Sequence, residues 1–181
     1  MKMKKIRKRI LLACIIVVVI AAGVALYIFY PMLTMTPAQT GAVEGTDIFA
    51  IRNERNAVYF MQTADGYIMV DTGSDKNGIE KSMLDNGIDA VRVKWILITH
   101  TDYDHVAALP LFPEAEIYMS EEELRGITGK NSLPVSTDGI NPLTDGQEVL
   151  LGGVTVKGIS APGHGSGHMA YLLDGKYLFT G

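Results

Sequence analysis

The chain has 181 residues and a hydrophobic content of 48%, enough for one domain with a core plus an appendage. Its 16 Lys and Arg stand against 20 Asp and Glu, a net charge of −4 that argues against a nucleic-acid-binding surface, where clustered positive charge is expected. Cys14 is the only cysteine, which excludes an internal disulfide and leaves His and carboxylate side chains to hold any metal ion.

The N-terminal segment combines a basic start with a long uncharged run. Ile10–Tyr30 has no charged residue, and about 20 apolar residues at a rise of ~1.5 Å span a hydrocarbon core of ~30 Å. We therefore predict a transmembrane anchor at residues 10–30, with a cytoplasmic basic segment at residues 1–9 and an extracytoplasmic domain after it. A cleaved signal peptide is the alternative, although its apolar region is usually about 7–15 residues long and ends in a small-x-small site.

Strand-like runs follow a polar linker. Residues 31–45 are rich in turn-forming side chains and link the predicted anchor to a domain at residues 46–181. A nearly continuous apolar run at Val93–Thr99 is typical of a strand buried on both faces. Helical periodicity closed by a glycine precedes it. The predicted elements up to this point are strands at Asp47–Arg52, Asn56–Gln62 and Tyr67–Val70, with a hairpin turn at Ala64-Asp65-Gly66, and a helix over Asp75–Asn86.

The second half of the chain mixes short helices with hairpins. A short helix is predicted after His105, ending near Pro110, and Ser120 to Glu123 matches a capping box that opens another. Strand–helix–strand units mixed with hairpins indicate an α/β or α+β sandwich. The remaining predicted elements are a strand at Ile117–Met119, a loop with Pro134, Gly139 and Pro142, strands at Glu148–Leu151, Val154–Ile159, Met169–Leu173 and Lys176–Thr180, and a hairpin turn at Asp174-Gly175.

All four histidines lie in two clusters, each placed after a predicted strand. Imidazole and carboxylate ligands suit a divalent cation, and loops at strand ends are where such ligands converge. In an extended segment, residues two apart share a side, so the first cluster is expected to serve two neighbouring metal positions, with His105 facing away from the others. The first cluster is His100, Asp102, Asp104 and His105, and the second is His164 and His168.

Four motifs in this order resemble the metallo-β-lactamase superfamily. They are Asp71-Thr72-Gly73, Thr99-His100-x-x-x-Asp104-His105, Pro162-Gly163-His164-x-x-Gly167-His168 and the closing Tyr177-Leu178-Phe179-Thr180-Gly181. The resemblance implies an αββα sandwich that binds two metal ions, usually zinc. It places His100 and His164 on the first ion and Asp104 and His105 on the second. It also implies that Asp104 orients the nucleophilic hydroxide and that Asp71 supports the metal loop through hydrogen bonds. His168 is expected to serve the structure or to act behind the ligands instead of binding metal itself.

Two departures from the family pattern are visible. Asp102 stands where the family usually has a second histidine; as a ligand it makes the first site harder, so Mn or Fe becomes plausible beside Zn. In the family, a metal-bridging Asp follows the Phe-Thr-Gly strand at once and another His ligand comes later. This chain stops at Gly181. We therefore expect a sandwich that is incomplete at its C-terminus, truncated after the first sheet and part of the second, with an exposed apolar face.

The resemblance implies a metal-dependent hydrolase, and the N-terminal segment predicts that this hydrolase is membrane-anchored and extracytoplasmic. It is expected to act on a small-molecule ester, thioester or lactone through a metal-bound hydroxide, with the membrane contacted through the N-terminal helix and no nucleic-acid partner. Asp102 keeps a phosphodiesterase or nuclease-like activity open, and a catalytically inactive scaffold protein is a further alternative. Asp71-Thr72-Gly73 also matches the signature of aspartic proteases, but a working dyad needs a second such carboxylate, and the chain has no second motif.

Overall fold

The computed structural model describes residues 2–34, 38–54, 56–127 and 132–181. The chain forms two compact units, Met1–Pro37 and Ala38–Gly181. Residues 35–37 of the predicted linker lie outside the described residues.

The described part of the first unit forms one helix, α1, over Lys2–Thr34. Within it, the 21 residues Ile10–Tyr30 have a mean hydropathy of 3.0, long and apolar enough to cross a membrane, as an anchor or a signal sequence would be. The helix continues four residues past the predicted anchor. The predicted linker also contains a short strand, β1, at Gly41–Ala42, because the edge of the next strand offers it free backbone partners.

The second unit is built on a seven-stranded sheet in the order β1-β2-β3-β4-β5-β6-β7. Neighbours from β1 to β4 run antiparallel and those from β4 to β7 run parallel. The carboxyl ends of the parallel strands therefore meet at one edge of the sheet. The strands after β1 are β2 (Ile48–Asn53), β3 (Asn56–Gln62), β4 (Tyr67–Val70), β5 (Val93–Leu97), β6 (Glu116–Ser120) and β7 (Asn141–Leu143).

One face of this sheet is covered by helices. The helix α2, Lys76–Asp85, buries Ile79 and Met83 against a core that includes Phe60 and Ile96. Burial of these side chains provides the main driving force for the layer, at about 25 cal/mol per Å² of apolar surface. The other helices are α3 (Tyr103–Val106) and α4 (Glu121–Gly126), with 3₁₀ turns at Ala90–Arg92 and Leu109–Leu111.

A four-stranded antiparallel sheet in the order β11-β10-β9-β8 packs through a second core in which Tyr171 and Leu97 are fully buried. The β10–β11 turn has positive φ at Asp174 (50°) and Gly175 (63°), as a type I′ hairpin requires. The larger sheet thus has helices on one face and the second sheet on the other, which confirms the predicted α/β sandwich. On this second sheet, Leu150 and Leu178 are 71% and 57% exposed. The strands are β8 (Glu148–Leu151), β9 (Val154–Ser160), β10 (Met169–Leu173) and β11 (Tyr177–Phe179).

Two elements of the second half of the chain also differ from the sequence prediction. The short helix begins at Tyr103, inside the first histidine cluster, instead of after His105. The predicted loop around Pro142 contains β7, which pairs in parallel with β6. A proline is tolerated there because β7 is an edge strand, which has a neighbouring strand on one side only and needs fewer backbone donors.

Candidate metal centre

The two histidine clusters meet at the carboxyl edge of the parallel strands. Asp71 follows β4 directly, His100 lies three residues after β5, and His164 belongs to the loop that joins β9 to β10. The second sheet is tied to this edge by a backbone hydrogen bond of 2.9 Å from the Met169 N–H to the Thr99 carbonyl. The fold thus brings together loops more than 60 residues apart in the sequence.

Three side chains converge on one point. One donor atom each from His100, Asp102 and His164 lies within 4.8 Å of the other two. Asp102 Oδ2 is 2.8 Å from His164 Nε2 and 3.6 Å from His100 Nε2. The His100 side chain is 7% exposed, whereas those of Asp102 and His164 are 60% and 61% exposed. The group therefore has one buried wall and opens to solvent.

Asp104 and His105 lie beside this group. The helical turn of α3 changes the direction of the chain, so the prediction that His105 faces away was wrong; its ring centroid is 4.0 Å from that of His100. Asp104 Oδ2 is 3.9 Å from His105 Nε2. Asn56, which the sequence analysis missed, donates from Nδ2 to Asp104 Oδ2 at 2.6 Å and lies 3.3 Å from His105 Nε2.

Asp71 is a buried hydrogen-bond acceptor that contacts His105 directly and is linked to His100 through Thr99. Its carboxylate accepts from the Thr99 N–H (2.9 Å), the Thr99 hydroxyl (2.8 Å) and His105 Nδ1 (2.8 Å). Because the Thr99 hydroxyl gives its proton to Asp71, its oxygen accepts from His100 Nδ1 at 3.1 Å. In the neutral form of both rings the proton therefore lies on Nδ1, and Nε2 is the nitrogen that can bind a metal ion.

The titration behaviour of these groups follows from burial and charge. Burial and the neighbouring His105 hold the pKa of His100 below its ordinary value. Burial alone would lower the pKa of His105, but the hydrogen bond to Asp71 and the nearby carboxylate charges of Asp71, Asp104 and Asp102 together outweigh burial and raise it. Burial would likewise raise the pKa of Asp104, and the hydrogen bond from Asn56 together with the nearby imidazoles lowers it instead. Asp104 is therefore ionised at neutral pH.

His168 lies behind the group. Its ring stacks on His100 with centroids 4.8 Å apart, and its Nε2 donates to the Thr180 carbonyl at 2.7 Å. The Nδ1 atom is buried, and the described residues supply no hydrogen-bond partner for it. The ring therefore supports His100 and links the β9–β10 loop to the end of β11.

The donor set fits a divalent cation. The set has two imidazoles, His100 and His164, and one carboxylate, Asp102, and zinc accepts all three as ligands. The carboxylate also suits a harder ion. Hydrogen bonds at Nδ1 direct Nε2 of His100, and of the adjacent His105, towards a metal ion. Asp104 and His105 offer a second pair of donors next to this set. Asn56 occupies the space between them with an N–H donor.

Residues 52–181 match the model of the metallo-beta-lactamase superfamily. The chain is 39% identical over 89 residues to a Bacillus velezensis protein named "Probable polyketide biosynthesis zinc-dependent hydrolase BaeB", an alignment that covers 48% of the chain and 36% of that protein. It is 29% identical over 150 residues to an atrochrysone carboxyl ACP thioesterase from Pseudocercospora fijiensis, covering 77% of the chain and 37% of the thioesterase. The chain thus spans little more than a third of these relatives.

Solved structures show the same fold. BJP-1, a subclass B3 metallo-beta-lactamase of Bradyrhizobium japonicum, superposes with a TM-score of 0.66 at 21% identity, over 82% of this chain and 62% of that one. MEM-A1, a subclass B3 metallo-beta-lactamase from a soil metagenome library, superposes with a TM-score of 0.62 at 23% identity, over 76% and 58% of the two chains. At these identities the likeness concerns the fold alone.

Proposed function

Because the chain belongs to the metallo-beta-lactamase superfamily, we propose that it is a metal-dependent hydrolase whose ion is held by His100, Asp102 and His164. The observation that supports this most directly is the convergence of these three donors within 4.8 Å. Zinc is the proposed metal because a relative is named as a zinc-dependent hydrolase. Mn or Fe is the alternative that the Asp102 carboxylate allows.

A divalent ion at this position supplies Lewis acidity and makes water a nucleophile near neutral pH. The residues of the chain then have separate roles. Asp104 is ionised and partly exposed, and it accepts a hydrogen bond from water. This bond orients the water so that a lone pair of the water oxygen points towards the substrate carbon. Asp71 holds His105 in one orientation, and Thr99 holds His100. The new bond joins the water oxygen to the acyl carbon, the bond to the leaving group breaks, and the proton that the water gives up is taken by the departing alcohol or thiol oxygen or sulfur.

The proposed substrate is a small-molecule thioester, ester or lactone. A thioester is favoured because two of the relatives are named as acyl carrier protein thioesterases. Phosphodiester cleavage is the second candidate, supported by Asp102, since a harder, more anionic site suits ions that also serve phosphoryl chemistry. The open side of the site at Asp102 and His164 is where either substrate would enter.

We also propose that α1 anchors the protein in a membrane with the metal centre outside the cytoplasm. The support is the apolar window Ile10–Tyr30 and the basic residues before it. The anchor and the hydrolase are separate proposals, because neither set of residues depends on the other.

The test is to measure zinc, manganese and iron in the purified protein by elemental analysis, together with turnover of thioester, carboxyl ester and phosphodiester probes. We expect about one tightly bound zinc per chain and turnover that a chelator abolishes. His164→Ala removes a ligand and abolishes both, while Ser166→Ala, a change in the same loop, preserves both. Absence of both metal and turnover supports the scaffold alternative.

The aspartic protease alternative makes a different prediction: proteolysis that survives the chelator and is lost in Asp71→Asn. The geometry argues against it, because the Asp71 carboxylate is buried and already accepts three hydrogen bonds. An aspartic dyad needs two carboxyl groups that share a proton next to substrate.

A further inference from the structure

We propose that Glu123 is a positioning residue of the metal centre: with Ser120 it clamps the loop that carries His100 and Asp102 to the loop that carries His164. This inference rests on the proposed function, because it concerns the ligands of the proposed ion. The sequence at the start of α4 predicts a helix cap and gives no sign of a role at the metal centre.

The first half of the clamp is a contact between Glu123 and Thr101. Thr101 lies between two of the converging donors, His100 and Asp102. Its backbone N–H and its hydroxyl both donate to Glu123 Oε1, at 2.8 and 2.6 Å. Two donors from one residue on one charged oxygen fix the peptide of that residue in position and orientation. Because this peptide is held in place, the backbone of the neighbouring ligands His100 and Asp102 is held as well, and so is the direction of their side chains.

The second half of the clamp is a contact between Ser120 and the other ligand loop. The Ser120 hydroxyl donates to the Gly167 carbonyl and accepts from the Glu123 N–H at 2.9 Å. Gly167 lies three residues after His164, and its backbone packs directly on Glu123. A Cβ at position 167 would clash with the Glu123 backbone nitrogen and would lie 2.5 Å from its Oε2. Both ligand loops are therefore held by one helical turn.

The direction of the Glu123 side chain separates this role from helix capping. Ser120-Glu121-Glu122-Glu123 matches a capping box, in which the glutamate returns to the N–H of the capping residue. The Ser120 half of that motif is present, but the Glu123 carboxylate bonds Thr101 instead, 22 residues earlier in the chain. Glu121 forms an ion pair with Arg125, and Glu122 is exposed. The three adjacent glutamates thus have different surroundings.

The experiment compares zinc affinity among variants of the full chain, measured by competition with a chromogenic chelator, with the melting temperature of the metal-free protein recorded beside it. Glu123→Ala is expected to weaken zinc binding about tenfold or more, the usual cost of losing a group that orients metal ligands. Glu122→Ala removes the same charge and atoms one residue away and leaves the affinity at the wild-type value. Glu123→Gln keeps one acceptor oxygen and loses less than Glu123→Ala.

A second pair of variants tests the same contact by changing Thr101, the hydrogen-bond partner of Glu123. Thr101→Ser keeps both donors and retains wild-type affinity, whereas Thr101→Val loses the hydroxyl and weakens binding. If Glu123→Ala does not fold, Glu123→Gln and Thr101→Val decide the question. Wild-type zinc affinity in those two variants overturns the inference, as does wild-type affinity in a folded Glu123→Ala protein. Absence of zinc binding by the wild type overturns the proposed function itself, so the two failures are distinguishable.

Discussion

Asp71 shows how one buried carboxylate prepares two imidazoles for a cation. The residue has a φ of +55°, a left-handed conformation that a non-glycine residue adopts at a cost. That conformation turns its oxygens toward the Thr99 N–H, the Thr99 hydroxyl and His105 Nδ1. Because the Nδ1 protons are directed to Asp71, directly or through Thr99, Nε2 is the nitrogen of each neutral ring that can bind a cation.

Asp71→Asn tests this arrangement with little change in shape, because asparagine also tolerates left-handed backbone. The amide has one acceptor oxygen in place of two and leaves at least one buried donor without a partner. We expect the free energy of unfolding to fall by about 1–3 kcal/mol and zinc affinity to fall by about 10–100-fold. Urea unfolding and chelator competition measure the two. Asp85→Asn, an exposed change that removes only the ion pair with Lys81, is the control; wild-type affinity in Asp71→Asn would contradict the role.

The Asn56 amide lies where a second metal ion would bind Asp104 and His105. Its Nδ2 group bonds Asp104 Oδ2 and lies beside His105 Nε2, so it uses the lone pairs that a second ion would need. We expect Asn56→Ala to strengthen binding of a second equivalent of zinc by about tenfold, or about 1.4 kcal/mol. Isothermal titration calorimetry with two-site analysis measures it. Asn86→Ala removes an amide at the exposed end of α2 and should leave the affinity for the second equivalent of zinc unchanged. An unchanged or weaker second equivalent in Asn56→Ala would argue that the amide does not compete.

The loop between β9 and β10 contains glycines with different requirements. A Cβ added at Gly165 would meet no heavy atom within 4 Å, whereas at Gly167 it would meet the backbone of Glu123. Both stand in the sequence run Gly163-His164-Gly165-Ser166-Gly167-His168, where their roles look alike. Contact with α4, an element outside the loop, distinguishes them.

Gly167→Ala is therefore expected to push the His164 loop away from α4. Overpacking of this kind costs about 1–3 kcal/mol of stability, and zinc affinity should fall with it because His164 moves. Gly165→Ala should change stability by no more than about 0.5 kcal/mol and leave zinc affinity unchanged. Thermal unfolding and chelator competition on both variants provide the measurement. Equal effects of the two substitutions would show that the packing of Gly167 on α4 is not important.

Across the molecule, the seven-stranded sheet makes the site possible. Parallel pairing of β4, β5 and β6 places the residues after each strand on the same edge, and the second sheet adds His164 to that edge. The two cores on the faces of the sheet keep these strand ends in register. The apolar helix α1 belongs to a separate compact unit.

Val18→Arg tests whether α1 is a membrane anchor. An arginine near the middle of a spanning helix costs about 2.5–3.5 kcal/mol of insertion free energy. We expect a smaller share of the protein in the membrane fraction after an alkaline wash. Val91→Arg adds the same charge at a valine with similar exposure in the second unit, 67% against 66%, and should leave the distribution unchanged. Retention of Val18→Arg in the membrane at the wild-type level would contradict the anchor.

The sandwich class, most strand positions and the residues of the two histidine clusters could be predicted from the amino-acid sequence. These features have local signals, because apolar runs, turn glycines and clustered imidazoles and carboxylates are readable within a few residues. The strand β3 and the Asp174-Gly175 turn were predicted at the positions observed. The edge strand at Pro142 was missed because its pairing with β6 is not a local property.

How the site is assembled became visible only in the folded chain. The turn of α3 brought His105 beside His100, against the extended prediction. Asn56 and Glu123 carry no distinctive motif, and each acquires its role from a partner 48 or 22 residues away. The physical reason is that hydrogen bonds between distant loops depend on how strands pair and layers pack, which a local pattern of residues does not encode.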